Sequence, residues 1–453
     1  MSETSTIRIG CCAGRAKRIN ERAIDEQWTR YLGQYAEVVR IPPVALFKLF
    51  GGAIGDWRSR FPHSLDELGE RLGELCRAYR ISTLYMNVPA LIPYLLMARS
   101  HAGLDLGFLF LAHSVGSEAW LRQWLAIAPW LSERDTLLTA TATSREALLN
   151  VSDAYRTALH IPLCTAVDPS VPLETLLAGR TGKQLLSIGR IEDVKNIDLL
   201  LEGFAALRRT IPDLRLIVAG EYTGSLPGQT ERYRARLEAL VVRLRLDNSV
   251  SFVGPVDGED KAALFRSSDI LLNLSTDPGE TFGFNLIEAK AYGLPVVCTS
   301  WDGFRELIAD GEDGFLADCV WEADMPAPDL RQIVARCLEL LRSGSRRRAM
   351  AERAFASARA YDYRSILPRI VGHAAERAKL PPPRMSGAAA IAAASPAELP
   401  DYYRRERLER LPFYRDSLLA ILSEAAAIPP ADWMPLAKPI IGHYAGRGAY
   451  AEL

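Results

Sequence analysis

Residues 269–298 read DILLNLSTDPGETFGFNLIEAKAYGLPVVC. The apolar run Asp269–Leu274 predicts a buried strand, and the Ser-Thr-Asp-Pro-Gly sequence at its end predicts a turn. The segment Phe284–Tyr292 predicts a helix, because a glycine closes it and a proline follows soon after. A second strand begins at Val296. The stretch therefore predicts a strand, a helix and another strand of an open α/β sheet.

Two glutamates lie in this stretch. Glu280 is in the loop at the carboxyl end of the first strand, and Glu288 is about one turn into the helix. Ligands bind at that edge of an open α/β sheet, and the helix N-terminus beside Gly283 offers N–H groups to an anion. Such a group of carboxylates and amides suits a ligand with both hydroxyls and phosphates. The spacing alone leaves open a second interpretation, in which one glutamate caps the helix and the other is solvated.

The sequence pattern around these glutamates resembles that of a known enzyme family. It consists of Glu-x7-Glu with an internal Phe-Gly-Phe, then Glu-Ala-x-Ala-x-Gly-x-Pro-Val-Val and Gly-x-x-Glu. This pattern resembles the retaining glycosyltransferases of family 4, over a stretch that runs roughly from Leu185 to Gly314. The family has the GT-B fold, in which two Rossmann-like parallel-sheet domains face a cleft. The resemblance implies an α/β protein of this kind with a nucleotide-diphosphate sugar as its donor substrate.

The resemblance also implies roles for the residues between the two glutamates. Glu280 would contact the hydroxyls of the donor sugar, and Glu288 would accept hydrogen bonds from the ribose hydroxyls. Backbone amides of the intervening segment would meet the sugar and the diphosphate, which adds to the donor site Thr281, Phe282, Gly283 and Phe284.

A second element of the pattern follows the predicted strand Gln184–Ile188. The residues from Gly189 to Asn196 resemble the family's Gly-Arg-Leu-x(n)-Lys-Gly element. Arg190 offers a fork of donors to phosphate oxygens, and Lys195 offers a point charge. Together they would stabilise a diphosphate leaving group as its charge grows. The alternative is a pair of exposed surface cations beside two neighbouring carboxylates.

Two further loops in the same half of the chain contain glycine at the end of a predicted strand. One follows Leu214–Ala219 and the other follows Val250–Val253. In the family these loops lie along the nucleotide base, largely through backbone groups. The resemblance therefore adds to the donor site Gly189, Gly220, Glu221, Gly254 and Val256.

The beginning of the chain predicts the β-loop-α-β opening of a Rossmann-like domain. Strands are predicted at Ile7–Cys12 and Glu37–Ile41, with a helix at Glu21–Leu32 between them. The loop after the first strand carries Gly14 and three cations but no GxGxxG, so a dinucleotide fingerprint is absent. In the family this loop lies near the donor phosphates or the acceptor. A solvated loop is the alternative.

One histidine stands at a strand end. His113 follows Leu106–Ala112, an apolar run that predicts a buried strand. A lone histidine is more often a core or surface residue than a ligand, but the family carries a histidine at this place that touches the donor sugar. The resemblance therefore implies four catalytic residues, Glu280, Arg190, Lys195 and His113.

The sequence departs from the family pattern at three places. Asn196 replaces a glycine, Lys290 replaces the methionine of Glu-Ala-Met-Ala, and Asp302 replaces the first glycine of Gly-Gly-x-x-Glu. We expect the change at Lys290 to have little effect and the change at Asp302 to alter the choice of sugar. These departures also motivate an alternative function, a nucleotide-sugar-binding subunit without activity. Another GT-B reaction, such as that of a phosphorylase or an epimerase, is a further alternative.

Composition limits the function classes. Hydrophobic residues make up 49% of the 453 residues, charged residues 24%, and the formal net charge is −1, which gives no support to nucleic-acid binding. Seven cysteines and six histidines show no metal-ligand spacing. We therefore expect no metal and no other cofactor. The N-terminal sequence is not that of a signal peptide and no apolar run reaches membrane-spanning length, so we expect a cytoplasmic protein.

The chain divides into five predicted segments. These are an acceptor-side Rossmann-like domain at 1–170, a donor domain at 171–362, a closing helix at 363–379 that returns to the first domain, a linker at 380–400 and a helical C-terminal extension at 401–453. The extension shows helical spacing of apolar residues and four arginines between Arg404 and Arg410. It is interpreted as a helix packed on the first domain or on a dimer partner, or as a basic surface for a membrane or a lipid-linked acceptor. The acceptor itself is unidentified.

Overall fold

The three-dimensional structure is a computed structural model. It describes residues 7–12, 27–53, 56–57, 60, 63–86, 91–115, 124, 127–151, 153–168, 170–224, 227–277, 279–322 and 325–384. The described residues form two compact units, one with the residues up to Pro162 and from Tyr363 to Arg384, the other from Leu163 to Asp362. Gly14 and the predicted extension at 401–453 lie outside the described residues.

In the described part of the first unit, six strands form a parallel sheet in the order β2-β1-β3-β4-β5-β6. The strands are β1 (Arg8–Cys12), β2 (Glu37–Arg40), β3 (Thr83–Met86), β4 (Gly107–Ala112), β5 (Thr136–Thr139) and β6 (Leu159–His160). Every residue of β4 is buried, as expected for a central parallel strand with both faces covered.

Helices connect these strands. They are α1 (Pro43–Lys48), α2 (His63–Tyr79), α3 (Ile92–Ala102) and α4 (Ala142–Val151). Helix α2 buries leucines at positions 65, 68, 72 and 75, the spacing of one helical face. Gln27–Tyr31 forms a π turn and Leu32–Gln34 a 3-10 turn, where the sequence analysis predicts the end of an α-helix.

The second unit also contains a parallel sheet, with six strands among its described residues in the order β12-β11-β10-β7-β8-β9. The strands are β7 (Gln184–Ile188), β8 (Arg215–Ala219), β9 (Val250–Gly254), β10 (Ile270–Asn273), β11 (Val296–Thr299) and β12 (Gly314–Ala317). The strand order reverses direction between β7 and β10. The fold therefore has its topological switch point there, where open α/β sheets bind ligands.

Eight described helices belong to the second unit. They are α5 (Leu173–Leu177), α6 (Ile197–Thr210), α7 (Gln229–Arg243), α8 (Gly258–Ser267), α9 (Phe284–Ala291), α10 (Phe304–Leu307), α11 (Leu330–Arg342) and α12 (Gly344–Ala358). Apolar residues of α6, α7 and α11 share one buried cluster with the strands. A two-stranded hairpin, β13 (Cys319–Glu322) and β14 (Met325–Pro328), follows the sheet.

The last described helix, α13 (Tyr363–Ala378), belongs to the first unit. The ring of Tyr363 stacks on Tyr31 with 4.1 Å between centroids, and Arg377 Nη2 donates to Thr157 O at 2.8 Å. The chain enters the second unit after Pro162, eight residues before the expected boundary at 170. The reason is that Thr165 N donates to Tyr361 O at 2.9 Å, which joins this segment to the second unit.

Several elements were not predicted. Strand β12, helices α7 and α10 and the hairpin are absent from the sequence analysis. Thr141, the residue before α4, accepts a hydrogen bond at its Oγ1 from Ser144 N at 3.2 Å. The ligand-binding edge is unaffected, because the strands that form it are predicted correctly.

Candidate functional site

The candidate site lies at the carboxyl ends of β7 and β10, on the two sides of the switch point. Arg190 and Lys195 come from the loop after β7. Ser275, Asp277 and Glu280 come from the loop after β10. The strands pair in parallel, with Leu271 opposite Leu186, so both loops leave the same edge of the sheet. The register therefore brings together side chains that are 80 or more positions apart.

Lys195 is the centre of the cluster. Its Nζ lies 2.7 Å from Glu280 Oε2, 3.0 Å from Asp277 Oδ2 and 3.1 Å from Ser275 Oγ. Its side chain is 11% exposed. Lys195 therefore lies beside Glu280 in a largely enclosed position rather than on the open surface.

Arg190 joins the same cluster from the other side. Its Nη2 donates to Asp277 Oδ2 at 3.1 Å, and its Nη1 donates to Glu192. Glu192 is buried and also accepts from the hydroxyl of Thr223. The guanidinium is therefore held between two carboxylates and remains one-third exposed.

The charges of the cluster shift the pKa values of its members. Burial alone would raise the pKa of Asp277, but Lys195, Arg190 and the Gly279 N–H hold it below its usual range. Burial lowers the pKa of Lys195, and the carboxylates of Asp277 and Glu280 more than offset this, so that its pKa lies above its usual value. Both groups are therefore ionised at neutral pH.

The described part of the cluster contains more negative than positive charge. Arg190 and Lys195 contribute two positive charges, and Glu192, Asp277 and Glu280 contribute three negative ones, a net charge of 2 − 3 = −1. Of these carboxylates Glu280 is the most exposed, at 23%, against 6% for Glu192 and 2% for Asp277. An incoming anion can therefore replace Glu280 with the least disturbance.

Asn196, the first departure from the family pattern, has a left-handed backbone of the kind that glycine adopts readily. Its φ is 52°, in the left-handed region that asparagine tolerates better than most residues. Its side-chain amide donates to Leu274 O at 2.7 Å and to Thr276 Oγ1 at 2.8 Å. Asn196 therefore ties the loop after β7 to the loop after β10.

Three glycines line the edge formed by β7, β8 and β9. Gly189 N donates to Ala219 O at 3.0 Å, and Gly220 N donates to Gly254 O at 2.8 Å. Gly220 has φ of 154°, and a Cβ at this position would overlap the carbonyl oxygen of Gly189. The predicted Glu221 is exposed and Val256 half-buried beyond the same edge. Only glycine fits at Gly220, because the two backbones touch there.

The N-terminus of α9 carries the predicted amide segment. Thr281, Phe282 and Gly283 are buried, and Phe284 is the first residue of the helix. Gly283 has φ of 89°, and a Cβ there would lie 2.6 Å from Phe304 Cε1. Among the described residues, no side chain caps this helix. The geometry fits an anion-binding helix N-terminus.

Glu288 is paired with a lysine that the sequence analysis missed. Lys261 Nζ, from α8, lies 2.6 Å from Glu288 Oε1. On the same helix, Asn285 Nδ2 donates to Ile188 O at 2.6 Å, while its Oδ1 accepts from Asn273 Nδ2 at 3.1 Å. These bonds fix α9 to the ends of β7 and β10, and so fix the position of Glu288.

The other two departures also have a structural meaning. Lys290 is buried, and its Nζ lies 2.7 Å from Asp313 Oδ2 and 2.6 Å from Leu307 O. Lys290 therefore contributes to the packing of α9, and the expectation that it has little effect on function stays a prediction. Asp302 has φ of 38°, a left-handed conformation like that open to the family's glycine.

His113 and Gly14 are the predicted site residues of the first unit. His113 is half-buried directly after β4, and burial lowers the pKa of its imidazole to about 4. It is therefore neutral at physiological pH. Gly14 lies outside the described residues. The roles of both remain predictions.

The sequence analysis missed Asp277, Ser275, Lys261 and Asn285. Asp277 carried a usable signal, because it is a carboxylate in the strand-end loop that contains Glu280. The sequence contained no signal that would link Lys261 to Glu288, because it lies in a different helix, 27 positions earlier in the chain.

No group of three or more His, Cys, Asp or Glu side chains in the described ranges is arranged to hold a metal ion. None of the helices that the structure describes combines the length and apolar character required to cross a bilayer.

Comparison with known proteins places this geometry in context. Residues 175–356 match the family described as glycosyl transferases group 1. A phosphatidyl-myo-inositol mannosyltransferase of Mycobacterium leprae is 31% identical over 217 residues, 47% of this chain and 52% of that protein. A D-inositol 3-phosphate glycosyltransferase of Geodermatophilus obscurus is 32% identical over 229 residues, 49% of this chain and 50% of that protein. The chain thus spans about half the length of the curated relatives it matches.

Solved structures establish the fold. Anabaena HepE in complex with UDP-glucose superposes with a TM-score of 0.60 at 18% identity, covering 81% of this chain and 98% of that one. Sucrose-phosphate synthase from Thermosynechococcus elongatus also gives 0.60 at 18% identity, covering 80% and 97%. The two parallel-sheet units are those of the GT-B fold.

Proposed function

We propose that the protein is a retaining glycosyltransferase, because residues 175–356 match the family described as glycosyl transferases group 1. It would move a sugar from a nucleotide-diphosphate sugar to an acceptor, which is a glycan, a lipid or a small molecule. One observation carries the proposal. Arg190 and Lys195 converge with Glu280 at the switch point of the donor unit.

The two cations are proposed to bind the diphosphate. In the structure they are paired with carboxylates, and the cluster is net negative. We therefore infer that a phosphate oxygen replaces Glu280 at Lys195 when the donor binds. This exchange frees Glu280, 2.7 Å away, for the hydroxyls of the sugar. The cations would then stabilise the charge that grows on the leaving diphosphate.

The nucleoside would lie along the glycine edge. Glu288, oriented by Lys261, would accept from the ribose hydroxyls. Backbone groups at Gly220 and Gly254 would meet the base. The complex of HepE with UDP-glucose supports a nucleotide sugar as the donor. Recognition through backbone groups explains why the sequence does not identify the base.

We assign both glutamates to binding and orientation. Each is engaged by a lysine, whereas a glycoside hydrolase needs one carboxyl as an acid and another as a base or nucleophile. The acceptor hydroxyl would attack the sugar from the face that the diphosphate leaves, and its proton would pass to that diphosphate. His113 is proposed to contact the donor sugar as a neutral imidazole, and the loop of Gly14 to contact the phosphates or the acceptor.

A binding subunit without activity is the competing function. This alternative is suggested by the departures from the family pattern at Asn196, Lys290 and Asp302. Asn196 and Asp302 adopt left-handed backbone, with φ of 52° and 38°, a region that glycine enters readily. These geometries favour an active enzyme. Donor binding without product across a broad acceptor panel would instead support the binding subunit.

We also propose that the protein is located in the cytoplasm. All seven cysteines are free thiols, five of them buried and two half-buried, which fits a reducing compartment. A nucleotide sugar as donor fits the same compartment. Fractionation of the native host's cells would test it, and recovery outside the cytoplasm would contradict it.

A thermal-shift panel of UDP-, GDP-, ADP- and dTDP-sugars tests the donor. A ligand at 100-fold its Kd stabilises the native state by about 2.7 kcal/mol, so one nucleotide series should raise Tm by several degrees. The same series should show slow hydrolysis or transfer. A correctly folded protein that responds to no nucleotide sugar would overturn the proposed function.

A further inference from the structure

Asp277 is the most enclosed carboxylate of the site. The residue is 1% exposed. Its Oδ2 accepts from both cations, from Arg190 Nη2 at 3.1 Å and from Lys195 Nζ at 3.0 Å. Its Oδ1 accepts from Gly279 N at 2.8 Å. A single oxygen atom thus joins the two cations, and the other oxygen joins the loop backbone.

The backbone of Asp277 is held as firmly as its side chain. Its N–H donates to Ser275 Oγ at 3.2 Å, and its carbonyl accepts from Trp301 Nε1 at 2.9 Å. Trp301 is itself buried. Glu280, in contrast, reaches Lys195 from a partly exposed position. The two carboxylates on Lys195 therefore differ, because one is locked and the other can move.

We propose that Asp277 is the positioning residue of the site, holding Arg190 and Lys195 on one oxygen atom while Glu280 gives way to the donor. This inference rests on the proposed function for its kinetic consequences. The contacts themselves, and their effect on Lys195, do not depend on it. Asp277 acts through the two cations and touches neither the sugar nor the reacting atoms.

Asp277 also keeps the amine of Lys195 protonated. The groups that face its Nζ are Asp277, Glu280, Ser275 and, with opposite effect, Arg190. When Glu280 leaves, Asp277 is the remaining carboxylate among them. Without Asp277, burial and Arg190 would lower the pKa of Lys195. A neutral lysine does not stabilise a diphosphate, so activity would be lost at lower pH than in the wild type.

The test compares Asp277→Asn with Asp269→Asn. Asp269 is an equally buried carboxylate at the opposite end of β10, and it accepts from the N–H groups of Gly182, Lys183 and Gln184 at 2.8–3.0 Å. Each substitution removes one buried charge, Asp269 before β10 and Asp277 after it. A general loss of stability should therefore appear in both variants. An effect on Arg190 or Lys195 should appear only in Asp277→Asn, because Asp277 alone of the two contacts them.

The first measurement needs no donor. Acetic anhydride labels Lys195 only when its amine is neutral, and peptide mass mapping follows the labelled fraction against pH. We expect the midpoint for Lys195 to fall by about 1–3 pH units in Asp277→Asn and to stay unchanged in Asp269→Asn. Equal midpoints in the two variants would overturn the proposal.

The second measurement uses the donor found in the thermal-shift panel. For Asp277→Asn we expect kcat/KM to fall about 100-fold, with an alkaline limb displaced to lower pH. If the wild type binds no nucleotide sugar, the proposed function fails, and the labelling result still decides the role of Asp277.

A conservative variant covers the case in which Asp277→Asn does not fold. Asp277→Glu keeps the charge and shifts the oxygen atoms. Positioning predicts a loss of kcat/KM with the pH profile unchanged. Wild-type kcat/KM per folded molecule in Asp277→Glu would contradict the proposal.

Discussion

Lys195 Nζ and Glu280 Oε2 lie 2.7 Å apart, although the two residues are 85 positions apart in the chain. One belongs to the loop after β7 and the other to the loop after β10. The contact joins a side chain proposed to bind phosphate with one proposed to bind the sugar. It also means that the donor must compete with Glu280 for Lys195.

This competition predicts opposite effects of Glu280→Gln on two ligands. Removing the charge beside Lys195 should let the free nucleoside diphosphate bind at least as tightly as in the wild type, by up to about tenfold more. Transfer should fall by about 100-fold or more, because the sugar loses its orienting carboxylate. Titration calorimetry and initial rates measure the two effects. Weaker binding of the nucleoside diphosphate would contradict the exchange of Glu280 for phosphate.

Lys195→Ala should lower kcat by about 10²- to 10³-fold, because the leaving diphosphate loses a charged donor. Lys183→Ala is the matched control. Lys183 lies at the other end of β7, is 53% exposed and pairs only with Asp213 among its described ion pairs. Steady-state rates of the two variants distinguish the loss of a phosphate-binding charge from the loss of any positive charge in the unit. Near-normal turnover in Lys195→Ala would remove this lysine from the phosphate site.

Gly220→Ala should destabilise the protein by about 3 kcal/mol or more and abolish donor binding. The new methyl group would overlap the carbonyl oxygen of Gly189 at a positive φ. Gly344→Ala is the control, since a Cβ there has no atom within 4 Å. Urea unfolding of both variants gives the comparison. A Gly220→Ala protein as stable as Gly344→Ala would show that the edge of β7 and β8 can open.

Lys290→Met restores the methionine of the family pattern, yet it should destabilise this protein by about 3–5 kcal/mol. The reason is that the carboxylate of Asp313 stays buried without its cation, and its remaining described partners are Ala309 N and Ser357 Oγ. Adding Asp313→Asn should recover part of the loss. Urea unfolding measures both. Unchanged stability in Lys290→Met would mean that the buried pair contributes nothing.

Transfer should continue in EDTA at an unchanged rate. The proposal assigns the neutralisation of the diphosphate to Arg190 and Lys195, so a divalent cation has no task in the step. The measurement is the initial rate with EDTA and after readdition of Mg²⁺ or Mn²⁺. Loss of the rate in EDTA and its return with either ion would overturn this assignment.

Local sequence determined much of the fold. The strand Gln184–Ile188 is predicted to the residue, because short apolar runs between turn signals specify buried strands. Strand β12 begins at Gly314, a residue type that is depleted in strands, and helix α7 carries many charged residues. Neither carries a strong local signal, and both are stabilised by the sheet on which they pack.

The sequence by itself determined which residues stand at strand ends: Arg190 and Lys195 after one strand, Glu280 after another. Only the tertiary structure decided that Asp277 holds both cations, and that Lys261 pairs with Glu288. Strand order is the physical reason. Pairing of β10 with β7 places their loops side by side, and this pairing depends on the burial of the whole sheet rather than on any local pattern.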